Sequence, residues 1–519
     1  MTSAGVAEYN VLYGASVKAI DEAAIRAGTP SEELMESAGA GAAAWIIEHR
    51  AAARVVVLAG PGGNGGDALV VARHLHGAGY DVRSFVVGGI DRLRGSSRAV
   101  LRKWTAAGGH VQSLDEGGLG LLESEIREAE LVVDGLFGIG VTRPLEGPFL
   151  DVVNLVNAAT VHTVALDLPS GVPADTGTLL GESIRADATL AMAFLKPAHL
   201  LFPARGRCGD IVVTPVAYPA DLAREIVPWA RVVTPWGVRR RLPERRPDGH
   251  KGTFGRVLVV AGSCGMTGAA ILCCRGALRS GAGLVSLAGP ASLHPIFEAS
   301  LPEVLTHPLP DCNGRLTAES ADALMPLLQQ ADVVILGPGL SRGEEIGTVV
   351  ERAVDRYAGP MVLDADALNA LAGRKHLLVS LRGRAVLTPH PGEHARLSGG
   401  AGPDRLQLVS EAQAFAAQHG VVLVLKGRPT AIGHPTGDIY LNPTGNTGLA
   451  TGGSGDVLAG MVGGLAAGGA SLEDAAIAAV YIHGHAADVY ARDRAPRAMI
   501  PSDLIDLLPS VFREIERWT

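Results

Sequence analysis

Two α/β domains, each built on a mostly parallel sheet, are what this sequence predicts. Three observations carry the expectation. The chain has 519 residues, more than one hydrophobic core organises. Short apolar, β-rich runs alternate with amphipathic stretches in both halves, as when parallel strands are joined by crossover helices. The rhythm then breaks over residues 218–246, where prolines recur beside Arg239, Arg240, Arg241, Arg245 and Arg246. The expected organisation is a front domain over 1–217, a solvated linker over 218–246 and a back domain over 247–519.

Ahead of the first strand, KAIDEAAIRAG and SEELMESAGAGAAAWIIEHR read as two helices, the second with Ser31 as its N-cap. RVVVLAG from Arg54, VRSFVVG from Val82, LVVDGLFG from Leu131 and TVALDLPSG from Thr163 read as buried parallel strands, with GDALVVARHLHGAG as an intervening helix. The back half restarts with RVLVVAGS from Arg256 and a Gly/Ala helix, followed by LVSLAG, DVVILGPGL, PMVLDADAL, RAVLTPHPG and VVLVLKG as strand candidates. Ligands of open parallel sheets sit at the carboxyl ends of strands, so the polar residues directly after each strand are the candidates for chemistry.

Composition excludes several classes. A net charge of −8, with no basic run beyond the short arginine cluster, argues against a nucleic-acid partner. Five cysteines without CxxC spacing point to a reducing compartment and to neither disulfides nor structural zinc. The first residues, MTSAGVAEYN, lack a basic-then-apolar pattern, and no apolar run is long enough to span a bilayer. A cytoplasmic protein without a membrane partner is expected. Only six lysines occur, so a lysine inside a motif draws notice.

The loop Gly60-Pro61-Gly62-Gly63-Asn64-Gly65-Gly66-Asp67 follows the first strand and opens a helix. It satisfies GxGxxG through Gly60, Gly62 and Gly65, which suggests a dinucleotide dehydrogenase. The acid expected at the end of the next strand is missing from VRSFVVGG, and Asn64 and Asp67 stand where plain backbone is wanted. A tight turn with Asp67 helping to cap the helix is the structural alternative. Further strand ends add Asp134, followed by a Gly-rich turn to Arg143, and Asp167, followed by Ser170. With Asn64 these oxygen donors can converge on a hard cation, although each acid alone is compatible with a cap.

GNGGDALV, VDGLFGIG with Arg143, and ALDLPSG followed by ADTG resemble the signatures of NAD(P)H-hydrate epimerases, from about Leu12 to about Val216 and including ELMESAG. The resemblance implies a Rossmann-like, three-layer α/β/α domain that binds the hydrate without hydride transfer. It implies potassium held by Asn64, Asp134 and Ser170, with Asp167 as the catalytic residue. Substrate contacts would come from Gly63, Asn64, Gly65, Gly66, Asp67, Asp167 and the turn Gly138-Ile139-Gly140-Val141-Thr142-Arg143-Pro144. Ala68 stands where family members usually carry the last glycine of GNGGDG.

In the back half, Thr444-Gly445-Asn446-Thr447-Gly448-Leu449-Ala450-Thr451-Gly452-Gly453-Ser454-Gly455-Asp456 carries too many glycines for a helix before Asp456. The N–H groups of Gly453, Ser454 and Gly455 would form a nest at a helix N-terminus, suited to a phosphate in transfer. Asp456 there can accept a proton from a hydroxyl attacking phosphorus, although it could instead only cap the loop. No GxxxxGK[ST] occurs. The segment resembles the anion-hole loop of ribokinase-like kinases. HKGTFGRVLVVAGS, GALRSGAGLVSLAG, ILGPGL, LDADALN, LTPHPGE and VLKG make residues 247–510 similar to their ADP- or ATP-dependent NAD(P)H-hydrate dehydratase branch. The resemblance implies nucleotide, with magnesium, along Lys426-Gly427-Arg428-Pro429-Thr430 and Asn446 to Gly455. It implies contact of the hydrate with Ala282, Gly339, His390 and Asp456, the last being catalytic. Single-chain fusions of this kind look bacterial in style, which favours ADP as donor; a homo-oligomer is expected.

Other readings remain open at this point. His390-Pro391-Gly392-Glu393-His394 matches HxxEH, but Pro391 and Gly392 oppose the helix a zinc site would need. His483 and His485, in an apolar helical context, read as packing residues. Asp364 and Asp366 suit either magnesium or a structural role. A kinase for a vitamin-precursor alcohol shares the GSGD loop, but its product would be a stable phosphate ester. A non-catalytic front module would be free to lose Asn64, Asp134, Asp167 and Ser170, all of which are present.

Overall fold

The computed structural model describes residues 6–115, 118–400, 402 and 404–518. The chain divides into one compact unit over Tyr9–Ala230 and a second over Arg231–Thr519, to which residues 6–8 also belong.

The front sheet has seven parallel strands in the spatial order His110–Leu114, Asp81–Val87, Arg54–Ala59, Leu131–Gly135, His162–Leu166, Ala188–Met192, Asp210–Thr214. Alternate residues of Arg54–Ala59 serve two cores. Val55, Val57 and Ala59 pack under helices Ser31–His49, Gly63–Gly77 and Gly95–Ala106, whereas Val56 and Leu58 face Leu119–Glu128 and Pro148–Ala158. Burial on both faces explains why these strands read as continuous apolar runs. Strand order reverses at Arg54–Ala59, so the loops after Ala59 and Gly135 leave the sheet side by side, where a crevice opens. The fit there requires glycine. A Cβ on Gly60 would stand 1.8 Å from the Leu136 carbonyl oxygen, and one on Gly135 would stand 2.4 Å from the Ala68 methyl. Ala68 is fully buried, its methyl facing Gly135, and it does not line the crevice.

The second unit carries the strands Leu305–Leu309, Leu284–Pro290, Arg256–Val260, Val333–Leu336, Met361–Leu363, Ala385–Leu387 and Val422–Leu425 side by side and parallel. Ala431–Gly433 and Ile439–Leu441 extend it antiparallel. Helix Ser454–Ala467 covers the middle of this sheet and packs backbone to backbone on Thr267–Arg279. Cβ atoms on Gly276, Gly460 and Gly464 would meet main-chain carbonyls of the facing helix at 2.5, 2.1 and 2.5 Å.

Several expectations are corrected. Residues 218–246 are not a solvated linker: they hold strand Ala230–Val233 and helix Pro235–Arg241. Arg241, mostly buried, pairs with Glu8 and Asp474. Pro235 at the helix start and Thr234 capping Gly237 N show why a proline-rich stretch can still nucleate a helix. Ser31 is the first helical residue after Pro30, its hydroxyl 2.7 Å from that of Ser96, so it is not the cap. The helix expected from Asp456 begins at Ser454, because Gly453 takes the left-handed N-cap geometry (φ +96°). Among the described residues no helix is long and apolar enough to cross a membrane.

The glycine contact between the two back helices generates a stability prediction. Gly460→Ala forces a methyl into the Cys273 carbonyl and costs about 1–3 kcal/mol. The check is a lower urea midpoint; an unchanged midpoint would mean the helices can separate without penalty.

Two candidate active sites at the strand ends

The front crevice is a cleft of about 520 Å³ at the carboxyl ends of the central strands. Asp167 directly follows His162–Leu166 and sits in the left-handed region (φ +64°), unusual for a residue with a side chain. That turn aims the carboxylate along the crevice floor. One oxygen, Oδ1, accepts a hydrogen bond from the Lys196 ammonium, itself 1% exposed. Lys196 Nζ also donates to the Phe194 carbonyl at 3.0 Å, which ties it to the protein. The other oxygen, Oδ2, lies 2.9 Å from where a Cβ on Gly138 would stand, so only glycine leaves it free to face the cleft. His199 fixes the turn from behind. Its Nδ1 accepts from Lys196 N at 2.9 Å, which leaves Nε2 as the donor to the Asp167 carbonyl at 2.8 Å. Burial and the Lys196 charge push its pKa down to about 3, so the ring is neutral and in one tautomer.

Asp67 lies in helix Gly63–Gly77, whose N-cap is Gly62, so it is not the cap. Burial first, then the Asp167 and Asp21 charges, hold its carboxyl well above the ordinary range. The cleft thus holds two carboxyls in unlike settings, Asp167 against an ammonium and Asp67 buried without one. Asp21 and Tyr218 close one wall through a 2.5 Å hydrogen bond; burial raises the pKa of both.

Asp134 is fully buried at the end of Leu131–Gly135. Its oxygens accept from Leu136 N (3.2 Å), Ser170 Oγ (2.6 Å) and Ser170 N (2.8 Å). Burial still lifts its pKa to about 6. Asn64 uses its amide N–H on the Leu166 carbonyl at 3.1 Å, while its Oδ1 is buried without a partner. An orphaned amide oxygen, a carboxylate and a hydroxyl at neighbouring strand ends form a donor set of low charge, which fits a monovalent cation.

Of the expected substrate contacts, Gly63, Asn64, Asp67, Gly138, Ile139, Gly140 and Asp167 line this cleft. Gly65 and Gly66 are buried beneath it; a Cβ on Gly65 would stand 1.9 Å from the Gly60 carbonyl oxygen. Val141, Thr142, Arg143 and Pro144 line a neighbouring cleft that Gly140 also borders.

The back cleft, about 570 Å³, is lined by Lys426 to Thr430, Asn446, Thr447, and Leu449 to Asp456, as expected for the nucleotide segments. Gly448 is buried, its N–H held by Asn446 Oδ1 at 3.0 Å. Asn446 Nδ2 in turn reaches the Ala487 carbonyl and Asp488, so this side chain shapes the loop. The expected nest is altered at one place: Ser454 N–H bonds the Thr451 carbonyl at 3.3 Å. Lys426 pairs with buried Asp364 at 2.9 Å, and Thr388 Oγ1 donates to the same oxygen at 2.7 Å. Gly455 passes directly over the pair, since a Cβ there would stand 3.2 Å from Lys426 Nζ. Asp456 has no such partner. Burial and the Asp364 charge, opposed by Lys426, push its pKa up to about 7.

Three expected hydrate contacts do not line this cleft. Ala282 precedes strand Leu284–Pro290 and packs in the core, at the amino end of the sheet and away from the chemistry. Gly339 follows Val333–Leu336 with φ +62°, its Cβ position 2.8 Å from the Met266 carbonyl oxygen. His390 is exposed and caps helix Pro391–Ser398, its Nδ1 accepting from Gly392 N at 3.0 Å; Glu393 returns the bond to His390 N at 2.9 Å. The HxxEH pattern is therefore a capping box. His483 is buried on Ser454, its pKa lowered to about 4 by burial.

Sequence reasoning missed Lys196 and His199, in FLKPAH, and the Asp364–Lys426–Thr388 contacts. The scarcity of lysine was the available signal: two of six pair with buried aspartates. Removing the front ammonium leaves an uncompensated buried carboxylate, so Lys196→Met should cost about 3–5 kcal/mol in chemical denaturation. Wild-type stability in this variant would mean that Asp167 does not depend on Lys196.

Comparison with known proteins agrees with this division. Residues 31–198 match a family model described as YjeF-related protein N-terminus, and residues 257–510 one described as NAD(P)H-hydrate dehydratase. A bifunctional NAD(P)H-hydrate repair enzyme of Moorella thermoacetica is 41% identical over 497 residues, 94% of this chain and 93% of that protein. One of Thermofilum pendens is 36% identical over 503 residues, covering 96% and 95%. An ADP/ATP-dependent NAD(P)H-hydrate dehydratase of Bacillus subtilis, crystallised with ATP and magnesium, is 33% identical; the match covers 55% of this chain and 98% of that one, with a TM-score of 0.45. With its nearly full-length identity to these relatives, the chain belongs to the family of bifunctional NAD(P)H-hydrate repair enzymes.

Proposed function

We propose that the protein restores hydrated NADH and NADPH: the front site interconverts the R and S hydrates, and the back site dehydrates the S form at the expense of ADP or ATP. The observation that carries the reading is the pairing of unlike carboxyls. Asp67 and Asp167 share the front cleft, and Asp456 stands unpaired beside a phosphate-sized loop in the back one.

In the hydrate, the hydroxyl-bearing carbon is bonded to the ring nitrogen. Protonated Asp67 gives its proton to the departing hydroxyl while the nitrogen lone pair closes a C=N bond, and water leaves. Water then adds to the opposite face as the Asp167 carboxylate takes its proton. The reverse reaction exchanges the two roles. Lys196 acts as a positioning residue, since it holds Asp167 through an oxygen turned away from Gly138. Asn64, Asp134 and Ser170 would hold a potassium ion, which would neutralise Asp134 and steady the two loops.

In the back site Asp456 takes the hydroxyl proton as that oxygen attacks the terminal phosphorus, releasing AMP from ADP or ADP from ATP. The ring nitrogen then expels phosphate, the adjacent carbon loses a proton, and the conjugated dihydropyridine is restored. No group of three or more His, Cys, Asp or Glu able to hold a metal occurs among the described residues, so magnesium would be held chiefly by the nucleotide phosphates it neutralises. ADP is the proposed donor. A vitamin-precursor kinase would instead accumulate its phosphate ester.

Recovery of reduced-nicotinamide absorbance from mixed R and S hydrates, with magnesium, potassium and either nucleotide, tests the whole reading. Wild type should recover the full pool, Asp167→Ala only the S share, and Asp456→Asn none. No recovery with either nucleotide would refute the repair activity. The proton-accepting form of Asp456 is lost as pH falls through about 7. Dehydration kcat/KM should therefore drop about tenfold per unit below that pH and level off above it. A flat profile down to pH ~5 would remove Asp456 as the base.

A further inference from the structure

A second cleft of about 810 Å³ lies in the front unit. It takes Gly88 and Asp115, which follow strands Asp81–Val87 and His110–Leu114, whereas the first cleft takes Asp167 and Met192. Strand order therefore sets the two clefts on opposite sides of Arg54–Ala59. They are neighbours: Phe137 and Gly140 line both, and a Cβ on Gly140 would meet nothing within 4 Å. Pro61 faces one and Gly63 the other, so the start of helix Gly63–Gly77 lies between them.

The chemistry of the two clefts differs. The first is lined by Asp21, Asp67 and Asp167, with Lys196 already committed to Asp167 and Lys18 as its other cation. The second holds Arg92 and Arg143; neither guanidinium has an ion-pair or hydrogen-bond partner among the described residues. Asp115 and Glu146 also border it, and Asp115 accepts from Ser113 Oγ at 3.4 Å. Its apolar surface includes the Phe137–Phe149 pair, with ring centroids 4.8 Å apart. Gly88 (φ +83°) lets the strand end approach that surface, since a Cβ would stand 2.9 Å from the Phe149 ring. In dinucleotide-binding sheets the end of this second strand meets the adenosine ribose: an acid there bonds the 2′-hydroxyl, whereas an arginine accommodates a 2′-phosphate. Here the cleft carries Arg92 at that place, and the adjacent Asp91 does not line it.

We propose that the second cleft holds the adenosine half of the dinucleotide hydrate, with Arg92 and Arg143 receiving the 2′-phosphate that distinguishes the NADPH hydrate from the NADH hydrate. This rests on the proposed front activity. The adenine ring lies against Phe137 and Phe149, the diphosphate passes the loop at Gly62 and Gly63, and the hydrated ring reaches Asp67 and Asp167. Site binding of this kind acts on KM, because the 2′-phosphate contacts are the same before and during the chemistry.

The test measures epimerisation of purified R hydrates of NADPH and NADH by the full chain, without ADP or ATP. Arg92→Ala is expected to raise KM for the NADPH hydrate about tenfold more than KM for the NADH hydrate, and Arg92→Lys to restore part of the difference. Adenosine 2′,5′-bisphosphate should compete with the hydrate better than 5′-AMP, and Arg92→Ala should remove that advantage. Equal KM changes for both hydrates, or a bisphosphate no better than AMP, would overturn the assignment and leave the front activity standing. A wild-type chain that interconverts neither hydrate would overturn the front activity and the assignment with it.

Discussion

Burying a carboxylate where a parallel strand ends costs several kcal/mol unless a cation, hydrogen-bond donors or a proton meets it. Both sites are organised by how each aspartate meets that demand. Asp134 is met by the N–H groups of Leu136 and Ser170 and by the Ser170 hydroxyl. Asp167 is met by Lys196, and Asp364 by Lys426 and Thr388. Asp67 and Asp456 receive no cation of their own; burial, and then the charge of a nearby carboxylate, raises their pKa values. The aspartates met by a cation or by donors form the fixed framework, and Asp67 and Asp456 are the ones left to exchange protons.

Such placement is possible only because backbone comes unusually close to backbone at the same strand ends. Gly60 against Leu136, Gly65 against Gly60, and Gly138 against Asp167 leave no space for a Cβ without moving a main-chain oxygen or the reactive carboxylate. In the back unit Gly276, Gly460 and Gly464 do the same between two helices and so set the height of the Ser454 helix start over the sheet. The glycine-rich segments therefore have two roles, and the packing one extends well beyond the residues that face a cleft.

These physical roles explain what could be read from the sequence. Central strands such as Arg54–Ala59 and Val333–Leu336 are buried on both faces and stand out as apolar runs. The edge strands His110–Leu114 and Leu305–Leu309 are largely exposed and carry His, Gln, Thr and Pro, so they have no such signature. The motif residues at the front and back loops were legible because a Gly-rich turn after an apolar run is local. Lys196 was not, because its partner lies 29 residues away and neither the strand before it nor its own segment announces the pairing. Ala282 was misplaced for the converse reason: a short Gly/Ala run looks alike at either end of a strand, and this one lies at the amino end. The resemblance to hydrate epimerases and dehydratases supplied the division of labour, which no residue spacing contained.

The difference in chemistry also accounts, on the proposed reading, for why only the back site uses a nucleotide as phosphate donor. On the proposed reading, epimerisation exchanges one face of a ring carbon for the other and needs no net driving force. A protonated and an ionised carboxyl suffice, reset after each conversion by proton exchange with solvent. Dehydration must remove a hydroxyl that is a poor leaving group, and converting it to a phosphate ester consumes a phosphoanhydride. That step is irreversible in practice, so it drains the S hydrate and draws the R form through the front site. For that phosphate the back cleft offers a helix N-terminus at Ser454 beside Lys426, and the front cleft needs none.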